Sequence, residues 1–124
     1  MSQSQNDSGI GTYLAGATIT RGQRVSISTT TGALVVSGGA DLSLGVAMAD
    51  AAADEYLAIA FQSKPGTFVA AVTGVPITAG SALYGITGGQ LSTTTTGSTV
   101  TWGIAMEPTS ANGSLIEVLR VGNT

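Results

Sequence analysis

The sequence predicts an all-β fold: a small single-domain barrel or sandwich built from two related β units, preceded by an extended N-terminal arm. Three observations predict it. Apolar and polar residues alternate with a period of two in segment after segment, as in Val25-Ser26-Ile27-Ser28, which sets one face of a strand inward and the other outward. Glycine-bearing turns separate those segments, among them Thr31-Gly32, Pro65-Gly66, Gly88-Gly89 and Asn112-Gly113, and short runs rich in Val, Ile and Thr between such turns favour barrels and sandwiches. The chain also nearly repeats itself after 58 residues: Gly16, Ile19, Thr20, Gly22 and Thr29 recur as Gly74, Ile77, Thr78, Gly80 and Thr87.

The repeat continues with Leu44-Gly45-Val46-Ala47-Met48, matched by Trp102-Gly103-Ile104-Ala105-Met106. A one-residue slip between the blocks, pairing Gly32-Ala33-Leu34 with Gly89-Gln90-Leu91, is what a loop tolerates. The copied positions are glycines, apolar residues and threonines. What was duplicated is a structural unit, which favours a scaffold or binding protein over an enzyme.

In chain order, residues 1–12 are polar and glycine-flanked and read as the arm. Residues 13–124 read as one β domain, with internal repeats at about 13–62 and 71–121. The first repeat predicts strands at about 13–20, 24–30, 33–37, 43–49 and 55–62. The second predicts them at about 67–73, 82–86, 90–94, 99–106 and 115–121. The single helical expectation is one turn over Asp50-Ala51-Ala52-Ala53-Asp54-Glu55, capped by Asp50. Thr93 to Thr96 read as a strand end running into a loop.

At 124 residues the chain fits one domain with a real core. Only 9% of residues are charged, against about 25% in typical domains, while 43% are hydrophobic. Such a surface is either rich in Thr, Ser and Gly or largely covered by partners. The net charge of -3 includes four cations, Arg21, Arg24, Lys64 and Arg120, which form no basic cluster. That excludes nucleic acid as a partner, because phosphate recognition needs several cations on one face. No run of 18 apolar residues crosses a membrane, and Met1 to Ser8 lack the order of a signal peptide, so residence in a cytoplasm is the default.

With no His and no Cys, the usual nucleophile and base pairs and the commonest zinc ligands cannot be assembled. Paired carboxylates could still cleave a glycoside, and clustered ones could hold calcium. The candidates for cleavage are Asp50, Asp54, Glu55 and, in the second repeat, Glu107, and those for calcium are Asp50, Asp54 and Glu55. A solvated turn explains them better. Gly9, Gly11 and Gly16 have neither the spacing nor the following helix of a phosphate loop. Trp102 aligns with Leu44, which points to apolar packing first and an interface second. Arg21 and Arg24, beside Gly22, read either as solvated arginines or as partners for acids of a neighbouring subunit.

The run Ile77-Thr78-Ala79-Gly80-Ser81-Ala82-Leu83-Tyr84 precedes a glycine turn, a Thr-rich strand, Gly103-Ile104-Ala105-Met106 and Leu115-Ile116-Glu117-Val118-Leu119. This series resembles the capsid cement proteins of tailed bacteriophages over roughly residues 13 to 121. Leu44 to Ala53 resembles the same family's strand running into an alanine-rich turn, with Asp54-Glu55 departing from the glycine expected before the acid. The resemblance implies a non-enzymatic virion protein without cofactors, made in the bacterial host cytoplasm. It would bind the outer surface of the capsid, stabilise the expanded shell through the major capsid protein, and sit there as a homotrimer.

The arm before residue 12 matches no pattern of that family; for a protein of this function, capsid contact is expected from Asp7, Ser8, Ile10 and Tyr13, and self-association from Arg21, Arg24, Trp102 and Glu107. Two other readings stay open. A carbohydrate-binding or adhesive module would stack sugars on Trp102 with Tyr56 or Tyr84. A carboxylate-only hydrolase would need Asp50 or Glu55 facing another acid across a cleft.

Overall fold

The computed structural model describes residues 9–38, 43–62, 66–86, 88–94 and 101–121. Those residues contain ten strands and no helix. In the first unit these are β1 (Ile10–Leu14), β2 (Arg24–Ile27), β3 (Leu34–Val36), β4 (Gly45–Ala47) and β5 (Tyr56–Phe61). In the second they are β6 (Thr67–Thr73), β7 (Ala82–Gly85), β8 (Leu91–Ser92), β9 (Thr101–Ala105) and β10 (Leu115–Arg120).

Both units use one plan. The first is a five-stranded sheet in the order β1-β5-β4-β2-β3, and the second is a closed barrel in the matching order β6-β10-β9-β7-β8. The barrel closes through a parallel pairing of β6 and β8, Val72 opposite Leu91 and Thr73 opposite Ser92. In the first unit the same closure is reduced to one parallel bridge, Ala15 opposite Leu34, where the Gly16 N–H donates to the Leu34 carbonyl at 2.7 Å.

Turn bonds repeat with the sequence. Ile19 and Ala51 exchange both backbone hydrogen bonds at 2.9 Å, and Ile77 and Thr109 do the same at 2.8 and 3.1 Å. The Gly22 N–H donates to Ala47 at 2.9 Å and the Gly80 N–H to Ala105 at 2.7 Å. The same hairpin chemistry is therefore built from residues 58 positions apart.

Two elements differ from the sequence expectation. The first strand covers residues 10–14 rather than 13–20, so Ile10 to Thr12 of the expected arm pair with Ala60, Ile59 and Ala58. It ends at Ala15 because its partner ends there: the Ala15 N–H reaches Glu55 at 2.8 Å, and Asp54 turns the chain at a φ of 72°. The helical turn at Asp50 does not form. Ala51 is committed on both its N–H and its carbonyl to Ile19, an extended pairing that a helix start cannot accommodate.

Each unit carries its own core. Ala15, Ile19, Val25, Leu34, Ala47, Ala51, Leu57 and Ile59 fill the first. The second is built from β6, β7, β9 and β10 around Phe68, Leu83, Trp102 and Val118, with the Phe68 and Trp102 rings edge to face at 5.4 Å. Val46 belongs to this second cluster although it lies on β4. Strand alternation explains it: Ala47 points into its own unit and Val46 into the other, so β4 is buried on both faces.

Candidate functional site

Residues 22–24 form the seam between the units. The Ala71 N–H on β6 donates to the Gly22 carbonyl at 3.0 Å, the Arg24 N–H donates to Gly89 at 2.7 Å, and Gln23 Nε2 donates to Gly88 at 3.1 Å. Arg24 then turns its side chain into the seam and is only 1% exposed. Its Nη1 donates to Ser43 Oγ at 2.7 Å, and its Nη2 donates to the carbonyls of Gly38 at 3.0 Å and Ile86 at 2.8 Å. The guanidinium also lies over the Trp102 ring, 5.8 Å from its centroid, an attraction between the cation and the negative ring face.

Arg24 has this seat because Gly85 lacks a side chain. A Cβ there would stand 2.6 Å from Arg24 Cζ. The planar guanidinium is suited to such a place, since it keeps its charge and presents several donors in one plane.

Beside the seam lies an open cleft of about 530 Å³. Ile10, Arg21 and Met48 line it from the first unit, and Thr67, Phe68 and Arg120 from the second. The Arg120 guanidinium lies 5.3 Å over the Phe68 ring, and burial lowers its pKa from the ordinary arginine value. It remains a cation at neutral pH.

The sequence-derived candidates are dispersed. Asp7 and Ser8 lie outside the described residues. Ile10 and Tyr13 are on β1, 45% and 38% exposed, with the Tyr13 ring edge-on to Phe61 at 6.2 Å. Arg21 and Glu107 are exposed, with a Glu107 carboxylate oxygen accepting the Glu117 N–H at 2.9 Å. Arg24 and Trp102 correct the self-association expectation. Both are interior, 1% and 5% exposed, so they join the two units of one chain and offer no surface to another.

Two of the three carboxylates at the alanine turn are spent on backbone. Asp50 Oδ1 accepts the Arg21 N–H and Glu55 Oε1 the Ala52 N–H, both at 2.7 Å. Among the described residues no group of three or more His, Cys, Asp or Glu gathers in metal-binding geometry. Burial of Trp102 removes that ring from the stacking platform of the carbohydrate reading and leaves Tyr56 exposed.

What sequence reasoning missed is a set of exposed apolar side chains: Leu14 (39%), Ile27 (42%), Met106 (46%) and Leu119 (37%), beside Tyr56 at 75%. Leu14 and Tyr56 face each other across β1 and β5. Their signal was present in the alternation, which puts both on the face opposite Leu57 and Ile59. Large apolar groups on an outward face mark interaction surfaces.

The duplicated β chain matches a known family. The phage cement protein model covers residues 12–120. The chain belongs to this family. No curated protein matches it. Among solved structures it is similar to the base of the head fiber gp8.5 of bacteriophage phi29, with a TM-score of 0.70 and 14% identity. That likeness covers 93% of this chain and 95% of the fiber base, and shows the shared fold. As a phage cement protein, the chain is a structural component of the virion and resides on the capsid surface.

Proposed function

We propose that this cement protein binds the outer face of the expanded capsid, with the major capsid protein as its partner, and stabilises the shell as a homotrimer without catalysing a reaction. The family match over nearly the whole β domain carries the reading. The exposed apolar residues and the low charge support it, because a surface shared with partners needs little charge of its own. The mechanism is linkage. A ligand that binds the assembled lattice and not its separated subunits stabilises the lattice by its binding free energy, repeated at every site.

For capsid contact the proposal keeps the arm, Asp7 and Ser8, together with Ile10 and Tyr13 on β1. Both described residues lie at the start of the first unit, beside the exposed Leu14.

The test is co-sedimentation of the purified protein with expanded heads assembled without it, counting copies bound and following the temperature of head rupture. Saturation at a fixed number per capsid, with rupture moved upward, is the expected result. Absence of binding to heads of its own phage would overturn the proposal.

A further inference from the structure

Within the chain, two of the features by which the first unit grips the second have exposed counterparts 57 to 59 residues away. The first feature is the Gly22 turn, which lies on the facing pair Ala71 and Leu115 of β6 and β10. A Cβ on Gly22 would stand 2.5 Å from Leu115 Cδ2 and 2.8 Å from the Ala71 nitrogen. The second feature is Arg24 in the space beside Gly85 and Trp102.

The turn at Gly80 reproduces the Gly22 turn, with a φ of 92° against 90°. Nothing lies within 4 Å of the position a Cβ on Gly80 would take. Strand register identifies its missing seat. Leu14 and Tyr56 face each other on β1 and β5 as Ala71 and Leu115 do on β6 and β10. Both are exposed, Tyr56 by 75%.

Arg24's seat also has a counterpart. A groove of about 600 Å³ in the first unit is lined by Ile27 and Leu44, which stand where Gly85 and Trp102 stand in the second. Arg24 and Ala82 are counterparts too, opposite Val46 and Ile104 in their sheets. The sizes are exchanged: a large Arg24 meets a small Gly85 inside the chain, while an exposed, small Ala82 is left to meet a large Ile27.

We infer that the second unit of one copy docks on the first unit of another copy as the first unit docks on the second within the chain. The Gly80 turn lies on Leu14 and Tyr56, and Ala82 enters the Ile27 groove. Met106 and Leu119 cover the same contact, because they are the counterparts of Met48 and Ala60, which face the second unit across the cleft. The occupant is thus a second copy of this chain, and one operation brings the exposed apolar residues of both patches into the same contact. The inference rests on the proposed self-association and specifies its surface. The two patches are different, so the contact is head-to-tail and continues until a ring closes. In the proposed homotrimer, three copies would supply the six units of that ring.

Two exposed substitutions on opposite patches test it by sedimentation velocity of the full chain. Tyr56→Glu and Leu119→Glu should each weaken self-association by about tenfold or more, as expected when a charge enters a contact centre, while thermal unfolding of the monomer stays unchanged. Mixing the two variants should restore a single contact and give dimers that grow no further, since each copy retains the patch its partner lost. Tyr56→Ser and Met106→Ser provide milder changes at the same two patches should either Glu variant fold poorly. Oligomers of unaltered size in both variants would overturn this contact and leave self-association standing. A wild-type chain that is monomeric in solution and on heads would overturn both.

Discussion

The guanidinium carbon of Arg24 lies 5.8 Å from the centroid of the Trp102 ring, and this pair spans the seam between the two β units. The contact explains how a chain built from two separately cored units holds one arrangement. The cation is anchored by β2 of the first unit and by the Ile86 carbonyl and Trp102 face of the second. Its burial in a sheet seam makes it costly to disturb.

Arg24→Ala should therefore destabilise the protein by about 3 kcal/mol, because it empties a packed site and leaves the partly buried carbonyls of Gly38 and Ile86 without their donor. Equilibrium urea unfolding is the measurement, read as a lowered midpoint. A change below about 0.5 kcal/mol, the range of ordinary surface substitutions, would show that the seam does not depend on the arginine.

Gly85→Ala should cost about 1–3 kcal/mol through overpacking, since the new methyl group would meet Arg24 Cζ at 2.6 Å. In an Arg24→Ala background the same substitution should cost far less. The double-mutant cycle would give a coupling of about 1 kcal/mol or more, as contacting residues do, whereas additive effects would place the strain of Gly85→Ala elsewhere.

Gly22→Ala and Gly80→Ala separate backbone strain from docking. Both positions share a φ near 90°, so each should lose about 1 kcal/mol from forcing a Cβ into that region. Gly22→Ala should lose about 2 kcal/mol more, because its Cβ also collides with Ala71 and Leu115. Equal losses in the monomer, measured by thermal unfolding, would mean that the Gly22 turn does not hold the second unit.

Deleting residues 1–8 should lower affinity for expanded heads while leaving the unfolding midpoint unchanged, since every described strand begins at Ile10 or later. Binding curves on heads measure the first and circular dichroism the second. Removing residues 1–11 instead would also take the Gly9 carbonyl that accepts the Phe61 N–H at 2.9 Å, and should destabilise the first unit. Head affinity equal to that of the full chain would remove Asp7 and Ser8 from the contact.

Much of the architecture is legible in the sequence. Period-two alternation located nine of the ten strands, the first beginning three residues earlier than expected, and the second-unit strands at Thr67–Thr73 and Leu115–Arg120 fall within one residue of their expected limits. The 58-residue repeat anticipated the paired bridges at Ile19 and Ile77. Alignment of Trp102 with Leu44 pointed to packing, and Trp102 is indeed buried. These features are local or periodic, so each is written in the spacing of neighbouring residues.

Closure, docking and the fate of Arg24 are not written that way. Alternation tells which face of a strand is buried but not which edge it pairs, so barrel could not be told from sandwich until β8 was found beside β6. Arginine is among the residues least often buried, and Arg24 becomes interior only because Gly85 and Trp102 of the other unit supply a gap and a ring face. By itself the sequence determined the strands, the duplication and the absence of histidine and cysteine chemistry. Only the tertiary structure decided which of two equivalent turns is buried and which is left exposed, because that depends on contacts between units far apart along the chain.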